Sequence, residues 1–379
     1  MKIGIDLRST DLSSYGGVSN YAHNLIVNLL KIDQTNQYVF FGNQFSKAEK
    51  KIEKYLPTGQ AGKFNNSEIK FYSVPNKLFN FSQKFFHYPK IDKLIGGVDV
   101  FFSPNILFTS LSKNCKHIIC AHDLSFKLFP EFLSAKRRLW HFFVNPKKLY
   151  QSADKIIAVS KNTKQDLIKY FNIPEEKIKV IYSGLNKLEI ENIKIEETKK
   201  KYSLPEKFIF TLSVIEPRKN ITSIIEAFEN IQKKYPDLNL IIAGRKGWKY
   251  KNILTKINNN NKIIYLENIS EKEKATLLQL ARAFVFPSFY EGFGFPPLEA
   301  MSYNTPVITS NNSSLSEICA NNAILIDPYN IIELQKAMEE VLSNTELRNN
   351  LIERGKKLSD DFTWERTAEE TLNLLENIY

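Results

Sequence analysis

From one end of the chain to the other, short runs of β-branched and aromatic residues alternate with stretches of helical periodicity. Strands separated by helices pair through crossovers rather than hairpins, so this pattern predicts an α/β protein with mainly parallel sheets. The chain has 379 residues, more than a single hydrophobic core ordinarily organises, which makes two domains in tandem the expectation. In the first half strands are expected at Lys2 to Asp6, Tyr38 to Phe41, Ile69 to Tyr72, Val98 to Ser103, His117 to Ala121, Lys155 to Val159 and Ile178 to Ile181. Helices between them include one from Val18 to Leu30 and one from Ser134 to Tyr150.

The rhythm fails between Ser183 and Pro205, where the run EIENIKIEETKKK is charged and poorly patterned. It resumes with a strand at Phe208 to Ser213, a helix from about Lys219 to Lys234, and strands at Leu238 to Ala243, Lys262 to Leu266, Phe284 to Phe286, Pro306 to Thr309 and Ala323 to Ile326. The expected organisation is therefore a domain over 1–185, a linker over 186–205, a second domain over 206–360 and a terminal amphipathic helix over 361–379. That helix offers Trp364, Leu372, Leu375 and Ile378 to one face, and we expect it to pack back on the first domain.

Composition narrows the class further. At 43% hydrophobic and 25% charged residues, with 14 Gly and 15 Pro, collagenous, coiled-coil and largely disordered chains are excluded. The nearest candidate for a membrane span, Leu94 to Ser112, is interrupted by Asp99, Pro104 and Asn105. The first residues enter a strand pattern directly, without the segments of a signal peptide, so a cytoplasmic protein is expected. Cys115, Cys120 and Cys319 show neither disulfide nor metal-site spacing and read as packing residues. Positive charge is concentrated: residues 1–190 carry 28 Lys+Arg against 15 Asp+Glu, the remainder 24 against 26. Such a field could serve nucleic acid, an anionic membrane or a phosphorylated substrate.

Ligands of open parallel sheets gather beyond the carboxyl ends of the strands, and four loops there carry unusual residues. Tyr15-Gly16-Gly17-Val18 opens the first helix, where glycines let the backbone approach a ligand. His122-Asp123 directly follows the strand ending at Ala121; His122 can hydrogen-bond a sugar hydroxyl, while Asp123 can equally cap a helix. His23, His87, His117 and His141 lack metal-ligand spacing and read as structural or surface residues. Glu216-Pro217-Arg218-Lys219-Asn220 sets two cations at an expected helix N-terminus, unfavourable against the macrodipole unless an anion lies between them, so a diphosphate is the economical occupant. Finally, Glu291-Gly292-Phe293-Gly294-Phe295-Pro296-Pro297-Leu298-Glu299 places one carboxylate in a loop and another about a turn into a helix, with glycine amides between them. Carboxylates that read hydroxyls beside cations that read phosphates describe a nucleotide-sugar site.

With these motifs the chain resembles glycosyltransferase family 4, the glycosyl transferases group 1, whose retaining members have the GT-B fold of two Rossmann-like domains facing across a cleft. The resemblance spans nearly the whole chain: Ile5-Asp6-Leu7-Arg8 with Gly16-Gly17-Val18, His122-Asp123-Leu124, Ala158 to Lys161, the EPRKN run, Ala243-Gly244-Arg245 with Gly247-Trp248, Glu291 with Glu299, and Ser313 to Glu317. It implies that Arg218 and Lys219 hold the donor diphosphate, Glu291 the donor sugar and Glu299 the ribose. His122 would reach the sugar from the facing domain, and Gly16 and Gly17 would approach the phosphates. Ser213, Ile269, Phe293, Gly294 and Phe295 would complete the donor site. Some members carry Arg at the position matching Ser213, a charge that Arg218 would supply here.

The implied reaction is retaining transfer of a hexose from a nucleotide diphosphate sugar to a glycan or lipid-linked glycan of a bacterial envelope, GDP-mannose being the weakly preferred donor. His122, Glu291, Arg218 and Lys219 would carry it, the departing phosphate itself would help deprotonate the acceptor, and neither metal nor cofactor is expected, since no DxD triplet occurs. A UDP-sugar-dependent transferase, a GT-B nucleotide-sugar epimerase and a silent sugar-binding subunit are the competing classes; nucleic acid is not an expected partner.

Two stretches of the basic half mix cations with aromatics, Lys77 through Phe86 and Lys136 through Phe143. Taken singly, each reads as an amphipathic helix with aromatics packed on the domain and cations in water. Taken with the charge, they predict peripheral contact with an anionic membrane at the inner face of the cytoplasmic membrane.

Overall fold

A computed structural model describes residues 1–9, 16–43, 66–188 and 195–378. Tyr15, part of the charged run after Ser183 and Tyr379 lie outside the described residues. The chain divides into two compact units. The first comprises Met1–Phe126, Ala135–Gly184 and Thr363–Tyr379, the second Lys127–Ser134 and Leu185–Phe362.

Among the described residues, the first unit is built on seven parallel strands: β1 (Lys2–Asp6), β2 (Gln37–Asn43), β3 (Ser67–Tyr72), β4 (Val100–Ser103), β5 (Lys116–Ala121), β6 (Lys155–Ala158) and β7 (Ile178–Val180). Their order is β3-β2-β1-β4-β5-β6-β7, so the direction of winding reverses between β1 and β4. Ile3, Ile5, Phe40, Phe101, Phe102, Ile118 and Ile156 are fully buried, as expected of strands covered on both faces. The terminal helix Trp364–Glu376 packs against the helix Gly17–Ile32. Tyr21 holds the junction edge-on to Trp364, Thr367 Oγ1 donates to the Tyr182 carbonyl at 2.8 Å, and Asn36 Nδ2 donates to Glu376 Oε1 at 2.9 Å. Gly184 is required there, because a Cβ would meet the Trp364 backbone nitrogen at 2.3 Å.

The second unit carries six parallel strands among its described residues: β8 (Phe208–Leu212), β9 (Asn239–Ala243), β10 (Ile263–Leu266), β11 (Ala283–Phe286), β12 (Val307–Ser310) and β13 (Ile324–Ile326). They run in the order β10-β9-β8-β11-β12-β13, and the reversal falls between β8 and β11, where Ala283 pairs with Ile209. Ile224, Ile225, Phe228, Ile242, Val285, Ile308 and Met338 form a continuous core between sheet and helices.

Three expectations are corrected. The helix placed at Ser134 to Tyr150 is two helices, Ala135–Val144 and Pro146–Ser152, because Asn145 adopts a left-handed φ of 53° and Pro146 opens the second. The stretch assigned to a linker contains the helix Ile195–Tyr202, whose Lys201 pairs with Glu273 at 2.5 Å on the helix Glu271–Leu280. Most aromatics of the two cationic stretches do not pack inward: Phe79 reaches the core, but Phe81, Phe85, Phe86, Phe142 and Phe143 are exposed, as are Leu78 and Leu139. Among the described residues no helix is long and apolar enough to cross a membrane.

Candidate functional site

Parallel pairing brings the ends of β8 and β11 side by side at the reversal point of the second sheet, the position where open sheets bind ligands. The loop after β8 turns through a 3-10 segment, Pro217–Lys219, and ends at Asn220 with a left-handed φ of 56° before the helix Ile221–Gln232 begins. Arg218 and Lys219 therefore sit in that turn and not in the first turn of the helix, which corrects the macrodipole argument for an anion between them. The loop after β11 is stitched to it, since the Phe289 amide and the Ser288 hydroxyl reach the Arg218 carbonyl at 2.9 and 3.1 Å.

The two loops bring four charges into a buried cluster. Lys219 Nζ lies 2.5 Å from Glu291 Oε1, and Arg218 Nη1 3.1 Å from Glu291 Oε2. Arg218 also holds Glu216 Oε1 through Nη2 at 3.0 Å and Nε at 3.2 Å, and donates to the Tyr290 carbonyl at 2.5 Å. Ser288 Oγ donates to Glu291 Oε1 at 2.6 Å, the Glu291 amide donates to Ser313 Oγ at 3.1 Å, and the Lys219 ammonium lies 5.0 Å from the Phe286 ring centroid. Glu216 is only 2% exposed. The protein thus supplies its own anions, two carboxylates for two cations, where the sequence pointed to a diphosphate.

Burial alone would raise the Glu291 carboxyl, but the charges of Arg218 and Lys219, with hydrogen bonds from Lys219 and Ser288, outweigh it and hold it at about 2. Lys219 is pushed down by burial and by Arg218, against the opposing pull of Glu291 and Glu216. The two cations are fixed in direction before any ligand arrives, an arrangement that stabilises charge developing on a leaving group without reorganisation.

Glu299 projects from the helix Phe295–Ser302 into a second ion pair, with Lys274 Nζ 2.8 Å from its Oε1. Lys274 also holds Glu271 Oε2 at 2.7 Å. Burial opposes its charge, but the two carboxylates prevail and raise its pKa. Gly294 caps that helix at φ 107°, and a Cβ there would fall 2.8 Å from Leu315 Cδ2, so glycine is needed both for the backbone and for space. Pro296 and Pro297 have no amide hydrogens, which leaves fewer donors at this helix start than in an ordinary first turn.

The remaining expected residues also fall at strand ends. Ser213 follows β8; its amide donates to the Ala243 carbonyl at 3.0 Å, and its buried hydroxyl has no hydrogen-bond partner among the described residues. Gly244, at φ 141°, crosses it so closely that a Cβ would lie 1.8 Å from the Ser213 carbonyl oxygen. Ile269 lies half-buried in the loop after β10, and Phe293 is buried edge-on against Phe295 with ring centroids 5.0 Å apart.

Gly16, Gly17 and His122 belong to the first unit. Gly16 is extended, at φ −126°, and Gly17 is already helical, so the first of these glycines does not serve a left-handed turn. His122 follows β5, donates through Nε2 to the Pro104 carbonyl at 2.8 Å and meets the Tyr21 ring edge-on at 4.9 Å. Burial lowers its pKa, favouring the neutral imidazole. Asp123 accepts from the amide and hydroxyl of Ser125 in a local turn.

Sequence reasoning missed Glu216, Ser288 and Lys274. It also missed Lys127–Ser134, which packs in the second unit with Phe129 against Tyr290 and Phe132 stacked on Phe289, both centroid distances being 5.5 Å. Only Glu216, adjacent to the EPRKN cations, had a signal in the sequence.

Two family models match the chain in succession, Glycosyltransferase Family 4 over residues 15–187 and Glycosyl transferases group 1 over 194–358. The chain belongs to this glycosyltransferase family. Among its relatives, the serotype-specific mannosyltransferase WbdA of Escherichia coli is 28% identical over 266 residues, covering 67% of this chain and 32% of WbdA. The chain therefore spans about a third of that relative's length. The O-antigen chain mannosyltransferase B of Escherichia coli is 29% identical, covering 66% of this chain and 68% of the relative. The fold matches sucrose-phosphate synthase from Thermosynechococcus elongatus with a TM-score of 0.76 and 17% identity, covering 100% of this chain and 99% of the other. Anabaena HepE in complex with UDP and glucose matches at 0.69 and 16%, covering 99% of each. The fold class is GT-B, with two Rossmann-like parallel-sheet domains.

Proposed function

We propose that this chain transfers a hexose from a nucleotide diphosphate sugar to a glycan acceptor, with retention at the anomeric carbon and without a metal ion. The observation that carries the reading is the Lys219–Glu291–Arg218 cluster at the β8/β11 reversal point. Cations already aligned by carboxylates stabilise the charge that builds on a departing diphosphate, and Glu291 is ionised and able to accept from sugar hydroxyls. Glu299, steered by Lys274, is the acceptor we assign to the ribose. The names of the Escherichia coli relatives favour mannose as the transferred sugar and an O-antigen chain as the kind of acceptor; GDP-mannose as donor and a lipid-linked envelope glycan as acceptor are our own extension of that reading.

The test is incubation of the purified chain with GDP-mannose, and in parallel with UDP-hexoses, with and without a membrane extract containing lipid-linked glycans. Acceptor-dependent release of GDP, with a new α-mannosyl linkage by NMR, is expected. Acceptor-dependent release of UDP alone would replace the donor, and isomerisation of a nucleotide sugar without acceptor would replace transfer by epimerisation.

A further inference from the structure

We infer that two helices of the first unit form a docking face for an anionic phospholipid bilayer. The helix Asn76–Phe85 uses Phe79 to reach the core formed by Phe41, Phe101 and Ile91, yet Leu78, Phe81, Phe85 and Phe86 are exposed by 52–69%. The helix Ala135–Val144 is still less committed to the sheet. Val144 is its one buried residue, while Leu139 and Phe142 are 57% and 76% exposed. Among the described residues, apart from the chain's first residue and the last residue of the helix Gly17–Ile32, the exposed large hydrophobics of this unit fall at or close to these two helices.

Topology puts both helices on one side. The connections β3 to β4 and β5 to β6 advance in the same direction along the sheet, and right-handed crossovers then lay their helices on the same face, each beginning beyond a strand's carboxyl end. The charge pattern selects the occupant. No Asp or Glu occurs between Glu68 and Asp92 or between Glu131 and Asp154, and these stretches carry Lys77, Lys84, Lys136, Arg137, Arg138, Lys147 and Lys148. Exposed aromatics and cations on stretches that carry no carboxylate of their own match the boundary between anionic headgroups and acyl chains. A second copy of the chain would instead bring like charges together across a two-fold interface.

The inference bears on the lipid-linked acceptor proposed above, but vesicle binding is read without any transfer, so either idea can fail alone. The full chain is floated with phosphatidylcholine–phosphatidylglycerol vesicles and with phosphatidylcholine alone, at low and high salt. Binding only to the anionic vesicles, weakened by salt, is expected. Reversal of Lys136, Arg137 and Arg138 to Glu should weaken it by roughly tenfold or more, and so should the combined Phe81→Ser, Phe85→Ser and Phe142→Ser changes. Both variants alter exposed side chains, so unchanged thermal melting is the control for folding. Equal flotation with neutral and anionic vesicles, or binding that survives either set of substitutions, overturns the proposal. Self-association or RNA binding through these residues in place of vesicle binding overturns it as well.

Discussion

Replacing Glu291 by Gln tests whether its carboxylate serves folding, chemistry or both. The substitution keeps the shape of the side chain and removes a charge that faces Lys219 at 2.5 Å and Arg218 at 3.1 Å, leaving Glu216 as the other carboxylate of the cluster. Removing one partner of a buried ion pair costs about 3–5 kcal/mol, and the low end applies because the amide can still hydrogen-bond. For a unit of this size about 3 kcal/mol corresponds to a fall of roughly 6–12 °C in melting temperature. A loop position by itself would predict no effect on the fold, whereas the buried cluster predicts a clear thermal shift. If the cluster also aligns the cations for the departing diphosphate, transfer should fall by about a hundredfold or more, or about 3 kcal/mol of transition-state stabilisation. Nucleoside diphosphate separates the two effects. At about a hundredfold excess over its dissociation constant a bound ligand adds roughly 2.7 kcal/mol of stability, and the more positive variant should gain at least as much as the native chain. Calorimetry with and without GDP, beside an initial-rate assay, gives all three quantities. A native melting temperature would refute the electrostatic account, and native transfer would refute the site.

Replacing Lys274 by Gln frees Glu299 from its clamp, so the donor Michaelis constant should rise by about tenfold with little change in kcat and recover in Lys274→Arg; a loss confined to kcat would argue against a binding role. His117 is buried against Ser103 and burial holds it down at about 4, so between pH 6.5 and 4 the unfolded chain binds more protons. Its contribution, on the order of 3 kcal/mol, is complete above pH 6.5 and lost as pH falls toward 4. Thermal melts of native chain and His117→Gln across that range should show a steeper decline for the native chain, and parallel curves would contradict the assignment. Under the proposed function, in which Arg218 and Lys219 take the role of a divalent ion, transfer should persist in excess chelator; activity abolished by EDTA and restored by manganese would show otherwise.

Alternating patterning alone placed the thirteen strands, because a buried parallel strand needs a short β-branched or aromatic run and a crossover needs a helix, both of which are local demands. The loops after β5, β8 and β11 were likewise visible, since His122, Arg218, Lys219 and Glu291 lie in the segments that follow strands and strand ends are where such sheets bind ligands. Partnership was not visible. Lys219 and Glu291 are 72 residues apart and Lys274 and Glu299 are 25 apart, and each pair meets only because the chain's crossovers bring its segments together. For that reason two cations read as awaiting a phosphate turned out to be held by Glu216 and Glu291. The direction of the aromatics on Asn76–Phe85 and Ala135–Val144 was equally hidden. Helical periodicity defines a face, but whether that face meets a sheet or the solvent depends on how much sheet is left to cover, which only the assembled tertiary structure decides.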